Sequence, residues 1–78
     1  MTSERSARAL KWLDDRYETR SAEERQAILR LEPAILAMLV GHHALGGFAS
    51  DEAPAMVNIV RIWLETKVSA SEKTPVQP

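Results

Sequence analysis

Two adjacent histidines, His42 and His43, are the side chains of this 78-residue chain that most resemble a metal site. A helix turns about 100° per residue, so neighbouring imidazoles diverge and cannot chelate one ion as histidines four apart can. The nearest acidic residues in the sequence are Glu32 and Asp51. We therefore predict no metal and no cofactor, with one ring packed and one solvated at a helix end. The alternative is that a symmetric dimer brings two such pairs together.

Catalytic patterns are missing from the sequence. There is no cysteine, no glycine-rich phosphate loop and no Gly-x-Ser-x-Gly elbow. The carboxylate pairs Asp14-Asp15 and Glu23-Glu24 are neighbours, and neighbours on a helix point apart. We predict that the protein is not an enzyme, has no catalytic residue and takes no small-molecule substrate.

A basic stripe with one aromatic residue runs along the N-terminal segment at spacings of three, four and four. It consists of Arg5, Arg8, Trp12 and Arg16. Such a stripe could bind phosphates or an acidic protein surface, with the indole stacking. Four carboxylates between residues 4 and 18 weaken its field, and the net charge is −1. A protein partner is therefore favoured, and nucleic acid is the less favoured alternative.

Helical periodicity and end signals predict an all-α chain. Ser21 and Glu24 have capping-box spacing, and Gly46-Gly47 is typical of a helix C-terminus. The expected fold is a compact bundle of three or four short helices, at about 4–19, 22–31, 33–45 and 52–68.

Pro33 leaves two alternatives for the middle of the chain. The apolar phase from Ile28 to Leu45 continues without slipping, which favours one kinked helix. Proline disfavours helical geometry at the preceding Glu32, whose charge would also lie within the apolar arc. The backbone restriction and the charge of Glu32 together favour a break or sharp kink at 32–33.

Apolar surface is in excess on the last two helices. Residues 33–45 carry no charged side chain, and apolar residues cover about two-thirds of the 52–68 helix. Small residues such as Ala37 and Gly41 predict close approach of another helix on one side. So short a chain has difficulty covering this surface alone, and we expect a homodimer. The predicted partner or dimer interface is Met56, Ile59, Val60, Trp63, Leu64, Met38 and Leu39.

The domain prediction is one helical unit over 1–68, followed by a polar, proline-bearing disordered tail over 69–78. The apolar run is shorter than the roughly 20 residues of a membrane span. With no cysteine and no basic-apolar leader, a cytoplasmic location is expected. The seven arginines against three lysines suggest a bacterial or phage genome.

These observations predict a non-catalytic small interaction protein that binds and modulates another macromolecule, as an inhibitor or adaptor, through apolar helix surfaces. The alternative is a small dimeric nucleic-acid-binding transcriptional regulator that uses the basic stripe. A third interpretation is a component of an obligate complex that needs its partner to fold.

Overall fold

Four helices make up the computed structural model, which describes residues 4–73, the last two as backbone only. They are α1 (Glu4–Glu18), α2 (Ala22–Leu29), α3 (Pro33–Leu45) and α4 (Ala53–Lys73). The described chain contains no strand, so the predicted all-α class is confirmed.

The core lies between α1, α3 and α4, with α3 packed against both of the others. Each of these helices presents an apolar face at helical spacing, and the three faces meet. α2 packs weakly, mainly along α4. The buried apolar side chains of the described residues are Ala9, Leu13, Leu36, Ala37, Val40, Met56, Val60, Trp63 and Leu64.

Asp14 links α1 to α4 at the edge of the core. Its Oδ1 accepts a hydrogen bond from Trp63 Nε1 at 2.9 Å and lies 3.3 Å from Lys67 Nζ. The Tyr17 ring meets the Trp63 ring edge to face, with centroids 5.4 Å apart. The buried indole therefore has its polar atom satisfied while its carbon surface packs.

The break before Pro33 is confirmed. Glu32 is extended, with φ −68° and ψ 141°, as expected for a residue before proline, and Pro33 opens α3. The axes of α2 and α3 differ by 112°. The charged Glu32 thus leaves the apolar arc, and α2 is carried away from the exposed side of α3.

The start of α2 is held by polar contacts, and α2 in turn holds the end of α1. Ser21 Oγ accepts from the Glu24 amide at 3.3 Å, and Glu24 Oε1 accepts from the Ser21 amide at 3.1 Å, which confirms the capping box. Arg25 reaches back to α1, donating to the Tyr17 and Glu18 carbonyl oxygens at 3.0 and 2.9 Å. One arginine therefore caps the last turn of α1 from the next helix.

The turn between α3 and α4 uses glycine where the backbone requires it. Gly46 and Gly47 have φ of 69° and 108°, in the region that other residues rarely adopt. Phe48 then folds back onto the core, with its ring against Gly41. A Cβ at Gly41 would collide with that ring, so this glycine makes room for the turn.

Two helix boundaries differ from the sequence prediction by more than one residue. α2 ends at Leu29 rather than 31, because Arg30 and Leu31 turn ahead of the break at Pro33. α4 runs to Lys73, so residues 69–73 of the predicted disordered tail are helical. That segment contains alanine, glutamate and lysine, and no proline or glycine occurs between the first turn of α4 and Pro75. Residues 74–78 of the predicted tail lie outside the described residues.

Between residues 4 and 73, no single helix is long and apolar enough to cross a membrane. The bent pair of α2 and α3 reaches that length and composition only when its two parts are added together.

Candidate interaction surface

One face of α3 is apolar and exposed. Ile35, Met38 and Leu39 are 48, 67 and 41% exposed. With His42, which is also exposed, they fall within an arc of about 100° on the helix. We call these four residues the α3 face. α1 and α4 cover only the opposite side of α3, and the bend before Pro33 turns α2 away from the α3 face.

The other side of α3 is packed. Ala37 and Gly41 are buried, as the small-residue pattern predicts, and so are Leu36 and Val40. The bulky residues of this helix are therefore divided between the core, which contains Leu36 and Val40, and the exposed α3 face.

The predicted interface divides into two groups. Met56, Val60, Trp63 and Leu64 lie in the core, between 0 and 6% exposed. Ile59 is partly buried against that core. The chain itself covers these side chains, because α1 and α3 both pack on α4, so they are not offered to a second chain in this fold. Met38 and Leu39 do lie at the surface.

A groove of about 480 Å³ adjoins the α3 face and opens between α1, α2 and α3. Leu39 belongs to both the α3 face and the groove, so the apolar surface is continuous. The groove exists because α2 stands off from α1 instead of packing on it. It is lined by Trp12, Leu13, Arg16, Arg20, Glu24, Ala27, Ile28, Leu31, Leu36, Leu39, His43 and Trp63.

Aromatic and cationic groups stack along the α1 side of the groove. The Arg16 guanidinium lies 5.1 Å from the centroid of the Trp12 ring, within cation–π range. On the same indole, the His43 ring stacks in parallel at 5.8 Å, and His42 meets His43 edge to face at 4.8 Å. Both imidazoles remain exposed, which differs from the expected one packed and one solvated ring.

The four residues of the predicted basic stripe do not form one continuous surface in the fold. Arg5 donates to Glu52 Oε2 at 2.7 Å and to the Gly47 carbonyl at 2.7 Å, so it ties α1 to the α3–α4 turn and the start of α4. That hydrogen bond to Glu52 raises the pKa of the Arg5 guanidinium. Arg8 is exposed and 3.6 Å from Glu4. Only the Trp12 and Arg16 half of the stripe reaches the groove.

Arg16 has no carboxylate within 4.0 Å among the side chains of residues 4–71, whereas Arg20, further along the groove, lies 3.6 Å from Glu24. The groove therefore has one unneutralised guanidinium at its rim above an apolar floor. In that same described part of the chain, no three histidine, cysteine, aspartate or glutamate side chains are grouped so that they could hold a metal ion.

The α2 contribution to this surface was not predicted from the sequence. Ile28 of α2 and Leu31, two residues after α2 ends, line the groove, and Arg25 fixes α2 to α1. The four-residue spacing of Arg20 and Glu24 was an available indication of a local ion pair. The side of the groove that α2 forms depends on where α2 lies relative to α1. No local sequence pattern specifies that position.

Comparison of the chain with known protein families, curated proteins and solved structures gave no match.

Proposed function

We propose that this chain is a non-catalytic interaction protein that binds and modulates another protein through its apolar helix surface, and that it also self-associates. The observation that carries the proposal is the α3 face. Three large apolar side chains at helical spacing lie exposed there, each more than 40% exposed, beside a groove of the same character.

Isolated exposed apolar residues are normal on proteins, so their grouping is what matters. Ile62, on α4, is an example of a lone exposed residue, 54% exposed beside Glu65 and Thr66. Along α3, by contrast, Ile35, Met38 and Leu39 offer the anchors of a helix-binding surface without an intervening charge.

The charge distribution favours a protein partner over nucleic acid. Arg5 is engaged by Glu52, and Arg8 lies beside Glu4, so half of the basic stripe has a carboxylate neighbour within the chain. Nucleic-acid affinity depends mainly on cations free to contact phosphates. With a net charge of −1, the protein lacks the excess positive charge that such binding needs.

The test is a double variant, Ile35→Gln with Met38→Gln, matched by Ile62→Gln as a control of equal chemistry on α4. All three side chains are exposed, so the variants should keep the wild-type helical circular dichroism. Affinity capture from cells that make the protein should lose its specific partner with the double variant and keep it with Ile62→Gln. Light scattering should report a mass above 8.7 kDa for the wild type and the monomer mass for the double variant.

Two results would contradict the proposal. One is capture and mass that are unchanged in the double variant. The other is duplex DNA as the captured partner, with an affinity that falls steeply with salt, which would favour the transcriptional-regulator alternative.

A further inference from the structure

We propose that the groove between α1, α2 and α3 binds an amphipathic helix of a partner protein, with its apolar side on the groove floor and an acidic side chain on Arg16. This inference rests on the proposed function and specifies the partner's chemistry. It follows from the shape of the groove, from its floor and from the charge at its rim.

The floor is apolar and formed by three elements. Leu13 and Trp12 come from α1, Ile28 from α2, and Leu36 and Leu39 from α3. The volume of about 480 Å³ is within the range of protein binding sites. Side chains spaced three and four apart on one helix face can enter such a floor together.

The groove is continuous with exposed surface, which distinguishes a helix from a small ligand. Leu39 lines the groove, and one turn away Ile35 extends the same apolar surface into solvent. A small amphiphile confined to the groove would leave Ile35 and Met38 uncovered. A helix of three or four turns, about 16 to 22 Å long at 5.4 Å per turn, would cover both the groove and part of the α3 face.

The rim selects an acidic occupant. Arg16 lies over Trp12 and has no carboxylate within 4.0 Å among the described residues, whereas Arg20 has Glu24 at 3.6 Å. A guanidinium without a carboxylate neighbour favours one from a partner, which it can bind through two hydrogen bonds. Charge complementarity therefore assigns an aspartate or glutamate to the part of the partner helix that passes Arg16.

A second copy of the chain fits the groove less well. Its most apolar exposed surface is the α3 face, and residues 33–45 contain no carboxylate. A neighbouring α3 would cover the floor but would leave Arg16 without an anion. Self-association through the α3 face and partner binding in the groove thus use adjoining surfaces with different charge requirements.

The experiment uses a yeast-displayed library of helical 15-residue peptides, selected against the full-length protein. Enriched sequences should have apolar residues at helical spacing and an excess of aspartate and glutamate on one flank. The best peptide is then synthesised together with a version in which lysine replaces its acidic residues. Calorimetry should show binding of the acidic peptide and at least tenfold weaker binding of the lysine version.

Matched variants locate the site. Arg16→Gln should weaken binding of the acidic peptide by about tenfold, as expected for loss of a charge-assisted hydrogen bond, and Leu39→Gln by a similar factor. Arg8→Gln removes the same charge two turns away on α1, and Ile62→Gln removes an exposed apolar group on α4. Both controls should stay within about twofold of wild type, a difference well under 1.4 kcal/mol.

Several outcomes would overturn the inference: no enriched helical peptide, enrichment of lysine-rich peptides, or equal losses for Arg16→Gln and Arg8→Gln. Binding of decanoate without binding of any peptide would identify a site for small amphiphiles instead. If the peptide experiment fails while Ile35→Gln with Met38→Gln still abolishes partner capture, the groove inference is wrong and the proposed function stands. If that double variant also has no effect, both are wrong.

Discussion

The helix α2 and the unit formed by α1, α3 and α4 are stabilised in different ways. All the buried apolar side chains of the described residues come from α1, α3 and α4, and none comes from the eight residues of α2. α2 instead has a complete capping box and the link from Arg25 to the end of α1. The core thus provides most of the stability, while α2 provides a wall of the groove.

This difference suggests that binding and stability are separable in this molecule. Most of the favourable free energy of folding comes from buried apolar area, which α2 hardly supplies. A change in α2 should therefore alter the groove more than it alters the bundle, whereas a change in the core should destabilise the whole protein.

The largest expected effect is the loss of a core side chain. Leu13 is 2% exposed, and Leu13→Ala should lower the free energy of unfolding by about 2–5 kcal/mol. Leu29→Ala, at a partly buried leucine of α2, should have a clearly smaller effect because less area is uncovered. Urea denaturation measures both. Equal losses would show that α2 belongs to the core as fully as α1 does.

An intermediate effect is expected where α3 approaches its neighbours. Ala37 is 1% exposed, so Ala37→Leu would overpack the bundle and should cost about 1–3 kcal/mol. Ala34→Leu places the same side chain one turn earlier on α3 at an exposed position and should change stability by less than about 0.5 kcal/mol. Thermal melting of both variants checks the pair, and similar melting temperatures would contradict the packing of α3.

The smallest expected effect is the response of α2 to acid. Hydrogen bonds from the Ser21 amide and hydroxyl to the carboxylate lower the pKa of Glu24 from its usual 4.5. Because the folded pKa is the lower one, this stabilisation is fully present above pH 4.5 and is lost as the pH falls through the folded pKa. Amide hydrogen exchange in α2 should therefore accelerate below pH 4.5 relative to α1, after correction for intrinsic rates.

Glu24→Gln provides the control for this acid response. Glutamine keeps the capping geometry but does not titrate in this range, so the α2-specific response should disappear. If it persists in Glu24→Gln, another carboxylate is responsible and the capping box does not account for the acid sensitivity of α2.

Local features of this fold could be predicted from the sequence, because they depend on a few neighbouring residues. Ser21 with Glu24, Pro33, and Gly46 with Gly47 each specify a helix end through backbone hydrogen bonding or allowed dihedral angles, and the structure has all three ends. The helical stretch 69–73 differs from the predicted disorder because a polar composition does not prevent a helix from continuing where neither proline nor glycine interrupts it, as here between Pro54 and Pro75.

The interaction surface could be predicted only in part, because burial depends on which helices meet. Val60 and Met38 both lie on helices with an excess of apolar surface, yet Val60 is 0% and Met38 67% exposed. Sequence periodicity shows that a face is apolar but does not show which neighbour covers it. The position of Arg16 beside α2 likewise follows from the bend at Pro33 together with the contacts of α2, and not from the spacing of the arginines on α1.

The polar links between α1 and α4 also bear on how the chain folds. Arg5 with Glu52 and Asp14 with Trp63 join residues 47 and 49 positions apart. Closing a loop of that length carries an entropic cost that grows only slowly with length, and forming one link brings the other within a short distance. The second link then forms at little further entropic cost. We therefore expect the two to form in a single kinetic step, in which α1 docks on α4 after the local α3–α4 pair has assembled.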